Sequence, residues 1–447
     1  MQSHIQYTDI YRTNRQDIHD HSAAPLNALR DEAHDRLLEL GLPTRKLERY
    51  KYTDIEALLA PDYGLNLKRL PFQVNPYEAF RCDVPNLSTS LYFILNDAFY
   101  NQAQGTAPLP PGVRICSLCQ AAAQWPELVT PYYGQLARSS KDGINALNTM
   151  LAQDGLFVYL PEHTVIERPI QIVNLLRSTV PLMLNRRVLV VAEEGAQASL
   201  LFCDHAIDNI DFLTTQVIEV YAKTQASIDI YELEETHVHN KRISNLYINA
   251  EAASHVNHYN VTLHNGITRN RTDVSLVGPD AYVGLYGCVV ADKEQHVDNN
   301  TLIDHRAPAC QSDQLYKYVL NDRSVGAFAG RILVREGAQK TVSNERNANL
   351  CATNEARMYT QPMLEIYADD VKCAHGSTVG QLNNEALFYM QQRGIALPEA
   401  RLLLQMAFAT EVVEHMRLEP IRTRLLSLVE KRFRGELSNC KGCTLCK

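Results

Sequence analysis

Between about Leu156 and Val379 the chain repeats itself roughly every 28 residues, and that spacing limits what it can fold into more than any other feature. Short Val/Ile/Leu/Tyr runs alternate there with brief polar corners, and helical periodicity is absent. The corner Val190-Val191-Ala192-Glu193-Glu194-Gly195-Ala196-Gln197-Ala198 is echoed at Val220-Tyr221-Ala222-Lys223-Thr224-Gln225-Ala226, at Ile248-Asn249-Ala250-Glu251-Ala252-Ala253 and at Leu276-Val277-Gly278-Pro279-Asp280-Ala281. Ala338, in Leu333-Val334-Arg335-Glu336-Gly337-Ala338, arrives close to two periods later. A fixed period of this order marks a solenoid, whose units bury their apolar faces only against their neighbours. Strands without intervening helices make the expected solenoid a parallel β-helix. The competing architecture is a large β-sandwich, which also alternates strands and turns but does not need a constant period.

The flanks read differently, so the expected organisation is a mixed helical region over 1–150, a β-helix core over 151–382 and a C-terminal helical domain over 383–447. Leu26, Leu29, Ala33, Leu37 and Leu40 fall on one helical face, which Gly41 and Pro43 bring to an end. A second helical stretch covers Asp54 to Leu59, and Leu91 to Leu95 reads as a strand. Near the other end, Pro398 suits the first turn of a helix. Its apolar stripe is Leu403, Met406, Thr410 and Val413, and Pro420 is expected to end it; Leu425, Leu428 and Val429 mark another helix.

Composition narrows the function classes. Lys and Arg number 43 against 51 Asp and Glu, a net charge of -8, and nucleic acid or an anionic membrane usually calls for the opposite balance. The N-terminus shows no basic segment followed by an apolar one, and no window approaches the length of a membrane span, so a soluble, cytoplasmic protein is expected. Eleven cysteines spread through a chain of this size suit buried thiols or ligands better than a disulfide framework.

The most specific segment runs Pro362-Met363-Leu364-Glu365-Ile366-Tyr367-Ala368-Asp369-Asp370-Val371-Lys372-Cys373-Ala374-His375-Gly376-Ser377-Thr378-Val379-Gly380. It resembles the signature of the SufB/SufD family of iron-sulfur cluster assembly proteins. Phe328-Ala329-Gly330-Arg331-Ile332, Ala338-Gln339-Lys340-Thr341, Leu387-Phe388-Tyr389 and Arg393-Gly394-Ile395 fit the same pattern, and the likeness runs from about residue 150 to about 430. Arg45-Lys46-Leu47-Glu48-Arg49-Tyr50-Lys51-Tyr52-Thr53 resembles a stretch near the start of SufD-type chains, with Tyr50 where tryptophan is common. His375-Gly376 replaces the His-Glu of SufB-like chains, so the SufD branch is the better match.

The resemblance implies a mainly β fold, with a right-handed parallel β-helix between an N-terminal helical region and a C-terminal helical domain. It also implies a scaffold that is not itself an enzyme. Such a chain pairs with a SufB-like paralogue, docks a SufC-like ATPase and shares a transient iron-sulfur cluster with the paralogue; a homodimer is possible when it stands alone. The sequence carries no Gly-x-x-x-x-Gly-Lys-[Ser/Thr] motif, so energy coupling is expected through a partner. A β-helical carbohydrate-active enzyme is the alternative, because this fold hosts such enzymes and fold alone does not fix function. It lacks support from any carboxylate cluster recurring on one face of the coils.

Cys373 and His375 lie two apart, a spacing that puts both side chains on one face of a strand, and thiolate and imidazole both suit iron. A lone Cys-x-His in a β-rich core is more often packing. The resemblance implies a role in cluster formation for the histidine and makes Cys373 a second candidate. Cys440, Cys443 and Cys446 have the spacing that reaches a single metal or cluster, though three thiols are one short of a full set. The competing reading is a terminus whose thiols oxidise without consequence. Cys116 and Cys119 form a single Cys-x-x-Cys without a partner pair or an evident helix start, and read as structural thiols. His296 with Asp298, and Asp304 with His305, read as turn and surface positions or hydrogen-bonded structural groups rather than acid–base pairs, and His255, His258 and His264 form no ligand spacing.

Overall fold

A computed structural model describes residues 3–72, 74–79, 89–101 and 108–435. The apolar runs of the repeating region become strands that stack in parallel into two sheets of ten and nine strands, odd and even coil sides alternating between them along the chain. Together they form a parallel β-solenoid of about eight turns. Within each strand alternate residues point into the coil, and the inward set packs as one continuous core: Val190, Ile218, Ile248 and Val274 from one sheet, Leu200, Ile230, Val256 and Val283 from the other. Among the described residues no sandwich is formed.

The period is real but not constant. Residues paired one coil apart differ by as few as 26 positions, Lys241 with Ile267, and as many as 32, Val325 with Arg357. The residues that lead into the inward column of one sheet are Ala196, Ala226, Ser254, Ala281, Cys310 and Thr341, each fully buried or nearly so. Ala198 and Ala253 are therefore one or two positions off the true column. A small residue is needed where the chain turns into the next strand. Alanine, serine, cysteine and threonine all satisfy that need, so counting alanines alone slips the register.

Both outer faces of the solenoid are covered. On one, Tyr7, Leu37, Tyr50, Leu59, Ile144 and Leu147 of the N-terminal region pack against Met183, Leu213 and Ile243. An N-terminal helix over Ser3–Asp20 joins the expected ones at Arg30–Leu40 and Ile55–Leu59. A fully buried pair pins this region down: Arg187 lies 2.7 Å from Glu219, whose carboxylate also accepts from the backbone of Gly134, Leu136 and Ala137 at 2.7–3.0 Å.

On the opposite face, the helices Leu397–Glu414 and Glu419–Phe433 lay Ala409, Val412, Val413, Leu425 and Leu428 on Tyr231, Tyr259, Val261 and Cys288. Two expectations need correction here. The buried stripe of the first helix is Gln405, Ala409 and Val412 with Val413, while Leu403, Met406 and Thr410 remain only half-buried. The helix seats its alanines, not its leucines, because the aromatic rows of the sheet already fill the space. Pro420 also does not end that helix, which stops at Glu414; it occupies the first turn of the next one, where its missing N–H costs nothing.

The two ends of the solenoid differ. At the first coils, Ala98–Phe99 and Arg114–Ser117 pair antiparallel with their neighbours and blunt both sheets. At the last coil, Arg357–Ile366 and Lys372–Gly380 are the terminal strands of the two sheets. Among the described residues no strand pairs beyond them, and their side chains are mostly exposed or half-buried.

Candidate functional site

The interior of the solenoid is apolar along one side and polar along the other. Asp204 accepts from Arg186 at 2.8 Å and from Arg242 at 2.7 Å; Arg242 reaches Asn270 Oδ1 at 3.1 Å; Asn270 donates to Asn299 at 2.9 Å, and Asn299 to the Tyr318 hydroxyl at 2.6 Å. His258 and Glu232 lie 2.8 Å apart beside this file. Buried charges persist when paired and hydrogen-bonded, and each group in this file has such a partner. The internal carboxylate of Glu234 is pushed up to about 7 by burial, with Arg242 pulling the other way.

Towards the open end the pairing lapses. Gln314 is fully buried with neither amide atom hydrogen-bonded, and Glu345 is fully buried with both carboxyl oxygens unpartnered. Burial alone pushes Glu345 up to about 8. Space for its carboxyl exists because residue 330 is glycine; a Cβ there would overlap the Glu345 side chain. Glu345 is in register with Gln314 on one side and with His375 on the other.

Cys373 and His375 both lie on the final strand, Lys372–Gly380, in register with the inward-facing Ser343 and Glu345. Cys373 is half-buried beside Ile332, Val334, Ala338 and Ala368, and burial raises its thiol. His375 is exposed, since no coil of the described residues covers it. Deeper in the same face, Thr360 Oγ1 lies 2.8 Å from Asn347 Oδ1 and 2.6 Å from Ser377 Oγ. Among the described residues no three His, Cys, Asp or Glu side chains converge as a ready metal site. Two donors on one face, presented at an open edge, can supply part of a ligand set and leave the remainder to another chain.

The stretch Arg45–Thr53 runs along the outer surface to this same end. Arg49 pairs with Asp273 at 2.5 Å and donates to Asn300 at 2.7 Å; Thr53 donates to Asp298 at 2.7 Å; the Tyr52 and Tyr359 rings stack at 4.4 Å; and Gln361 donates to Glu48 at 2.6 Å. Tyr50, fully buried, donates to Asp142 at 2.5 Å under the Arg269 guanidinium.

The remaining candidates lie elsewhere in the fold. His296 contacts Thr53 at 3.1 Å, and His305, buried and lowered to about 4, lies 2.9 Å from Ser312 Oγ. Asp304 pairs with Arg306 and Arg335. Cys116 and Cys119 are free thiols, with Cys116 pushed up to about 11 by burial. They do stand at a helix start, contrary to expectation: Ser117 caps Leu118–Gln124, and Asp154 accepts from the Cys119 N–H at 3.0 Å. A serine between two cysteines hid the cap. Cys440, Cys443 and Cys446 lie outside the described residues. Sequence reasoning missed Glu345 altogether; the signal for it was Gly330, a residue without a side chain inside a strand.

The fold is a two-layer solenoid with helices on both faces, one end blunted and the other open and carrying a Cys-x-His pair. Sequence comparison agrees: residues 175–408 match the SUF system FeS cluster assembly, SufBD core domain, and residues 1–172 match the SufBD protein N-terminal region. The chain belongs to the SufBD family of iron-sulfur cluster assembly proteins. It is 28% identical to an iron-sulfur cluster assembly SufBD family protein of Synechocystis, over 90% of each chain. It is 26% identical to the iron-sulfur cluster assembly protein SufD of Escherichia coli, over 90% of this chain and 91% of that one, and 25% identical to SufD of Bacillus subtilis, over 72% and 74%. The carbohydrate-active alternative is not favoured.

Proposed function

We propose that this chain is a non-catalytic, cytoplasmic scaffold subunit of SufD type, and that iron-sulfur clusters, its cargo, are assembled between its open end and a SufB-like paralogue. One observation carries the reading: His375 stands exposed, with Cys373 beside it on the same face, on the terminal strand of an unblunted sheet edge. An unpaired strand edge is a template for another chain, and a neutral imidazole at such a junction offers iron a ligand without demanding a closed site in either partner. A SufC-like ATPase docks on the C-terminal helices, whose stripe of Leu403, Met406 and Thr410 is only half-buried.

The test is to co-express the chain with the paralogue and the ATPase and to measure iron and acid-labile sulfide in the purified complex. With His375→Ala the complex should still assemble while its cluster content falls sharply. Cys373→Ser should have a smaller effect, since its thiol is half-buried among apolar side chains. Normal cluster content with His375→Ala overturns the ligand role.

A further inference from the structure

Native proteins rarely leave a buried carboxyl without a partner, and each such group calls for an explanation. Glu345 is such a group: fully buried, both oxygens unpartnered, one strand behind His375 and in register with it. Its side chain belongs to the inward face that also carries Ser343, and His375 belongs to the continuation of that face. Neighbouring strands are about 4.8 Å apart, so side chains in register on one face come within hydrogen-bonding distance by rotation about their own bonds. The carboxyl lies over Gly330 of the facing sheet, where a Cβ would overlap it, and it reaches His375 by turning away from that glycine towards the terminal strand.

We propose that Glu345 is the positioning residue for His375: its carboxyl oxygen accepts a hydrogen bond from the imidazole nitrogen that faces the interior. That bond fixes the tautomer in which the outer nitrogen keeps its lone pair free for iron. Metal-bound histidines generally donate their second ring N–H to a carboxylate or carbonyl, and removing that acceptor typically costs 10–100-fold in metal affinity. Glu345 touches no cluster and acts only through the histidine. The inference rests on reading His375 as an iron ligand and adds the group that orients it.

The full chain can be titrated with Co²⁺ as the probe, by calorimetry and by its ligand-field absorption, in wild-type protein and in Glu345→Leu, Glu345→Gln and His375→Ala. Glu345→Leu should weaken Co²⁺ binding about tenfold or more without lowering the melting temperature. Glu345→Gln, whose amide oxygen still accepts, should lose less. In ¹⁵N-histidine spectra the His375 ring should favour one tautomer in wild-type protein and lose that preference in Glu345→Leu. A structural role alone predicts the opposite pattern, with stability falling and affinity holding. If His375→Ala abolishes Co²⁺ binding while both Glu345 variants bind as wild type, the positioning role is overturned and the ligand reading of His375 stands. If His375→Ala itself binds as wild type, the ligand reading fails and the positioning role with it. Should Glu345→Leu not fold, Glu345→Gln and the tautomer spectrum still decide the matter.

Discussion

An exposed imidazole and a buried carboxyl one strand apart carry opposite energetic signatures. His375 is exposed, so His375→Ala should change stability by less than about 0.5 kcal/mol, checked by thermal melting of the isolated chain. Glu345 is sealed in, and its proton is held to about pH 8, whereas in the unfolded chain it leaves near pH 4.5. Between those values the unfolded state releases the proton and the folded state keeps it, so stability falls as pH rises through that window, by at most ~1.4 kcal/mol per pH unit for one group. Glu345→Gln removes this slope. The variant should therefore gain on the wild type between pH 5 and pH 8; chemical denaturation at the two pH values measures the gain, and parallel curves would contradict a carboxyl kept protonated by burial. His375 was legible in the sequence because it sits in a contiguous signature, whereas Glu345 was not. Its contact with Gly330 is made across the coil between the two sheets, and its alignment with His375 depends on a register of 30 residues; no local pattern encodes either.

At the scale of the element, strands and helices were not equally readable. A strand's two faces follow from alternation, and the stacked corners announce the coils even where a small residue other than alanine shifts the count. The helix Leu397–Glu414 has apolar residues on more than one face, so its sequence alone does not select which stripe is buried. The aromatic rows of the sheet decide it, admitting Ala409, which is fully buried with its carbonyl 3.8 Å from the Cys288 thiol. Ala409→Trp should overpack this contact and cost about 1–3 kcal/mol, seen as faster hydrogen exchange across the two C-terminal helices. Deleting residues 385–447 would uncover Tyr231, Tyr259 and Val261, so loss of the ATPase after such a truncation would confound docking with aggregation. The cleaner variant is Leu403→Asp with Met406→Asp, on the half-buried stripe. It should abolish co-purification with the ATPase while leaving the melting temperature within a few degrees of the wild type. Retained binding would move the docking surface elsewhere.

For the molecule as a whole, the decisive feature is that its two ends are unlike. Antiparallel strands at Ala98–Phe99 and Arg114–Ser117 close the first coils against further pairing, as edge-bearing proteins commonly do. The last coil has no such device among the described residues, and it exposes Val379 and Tyr367 together with Tyr359, whose ring is stacked on Tyr52. A solenoid with one blunt end joins another chain once and stops, giving a pair rather than a filament. The N-terminal stretch Arg45–Thr53 braces the open end from outside through Gln361 and Tyr359, so the end is held in shape before any partner arrives. The isolated chain should therefore form a dimer through its last coil, in competition with the paralogue. Val379→Lys, which places a charge on the inward face of the terminal strand, should shift sedimentation of the isolated chain to the monomer and weaken capture of the paralogue in parallel. Higher oligomers in the wild type, or a dimer untouched by this substitution, would show that association runs through a side face and not through the open end.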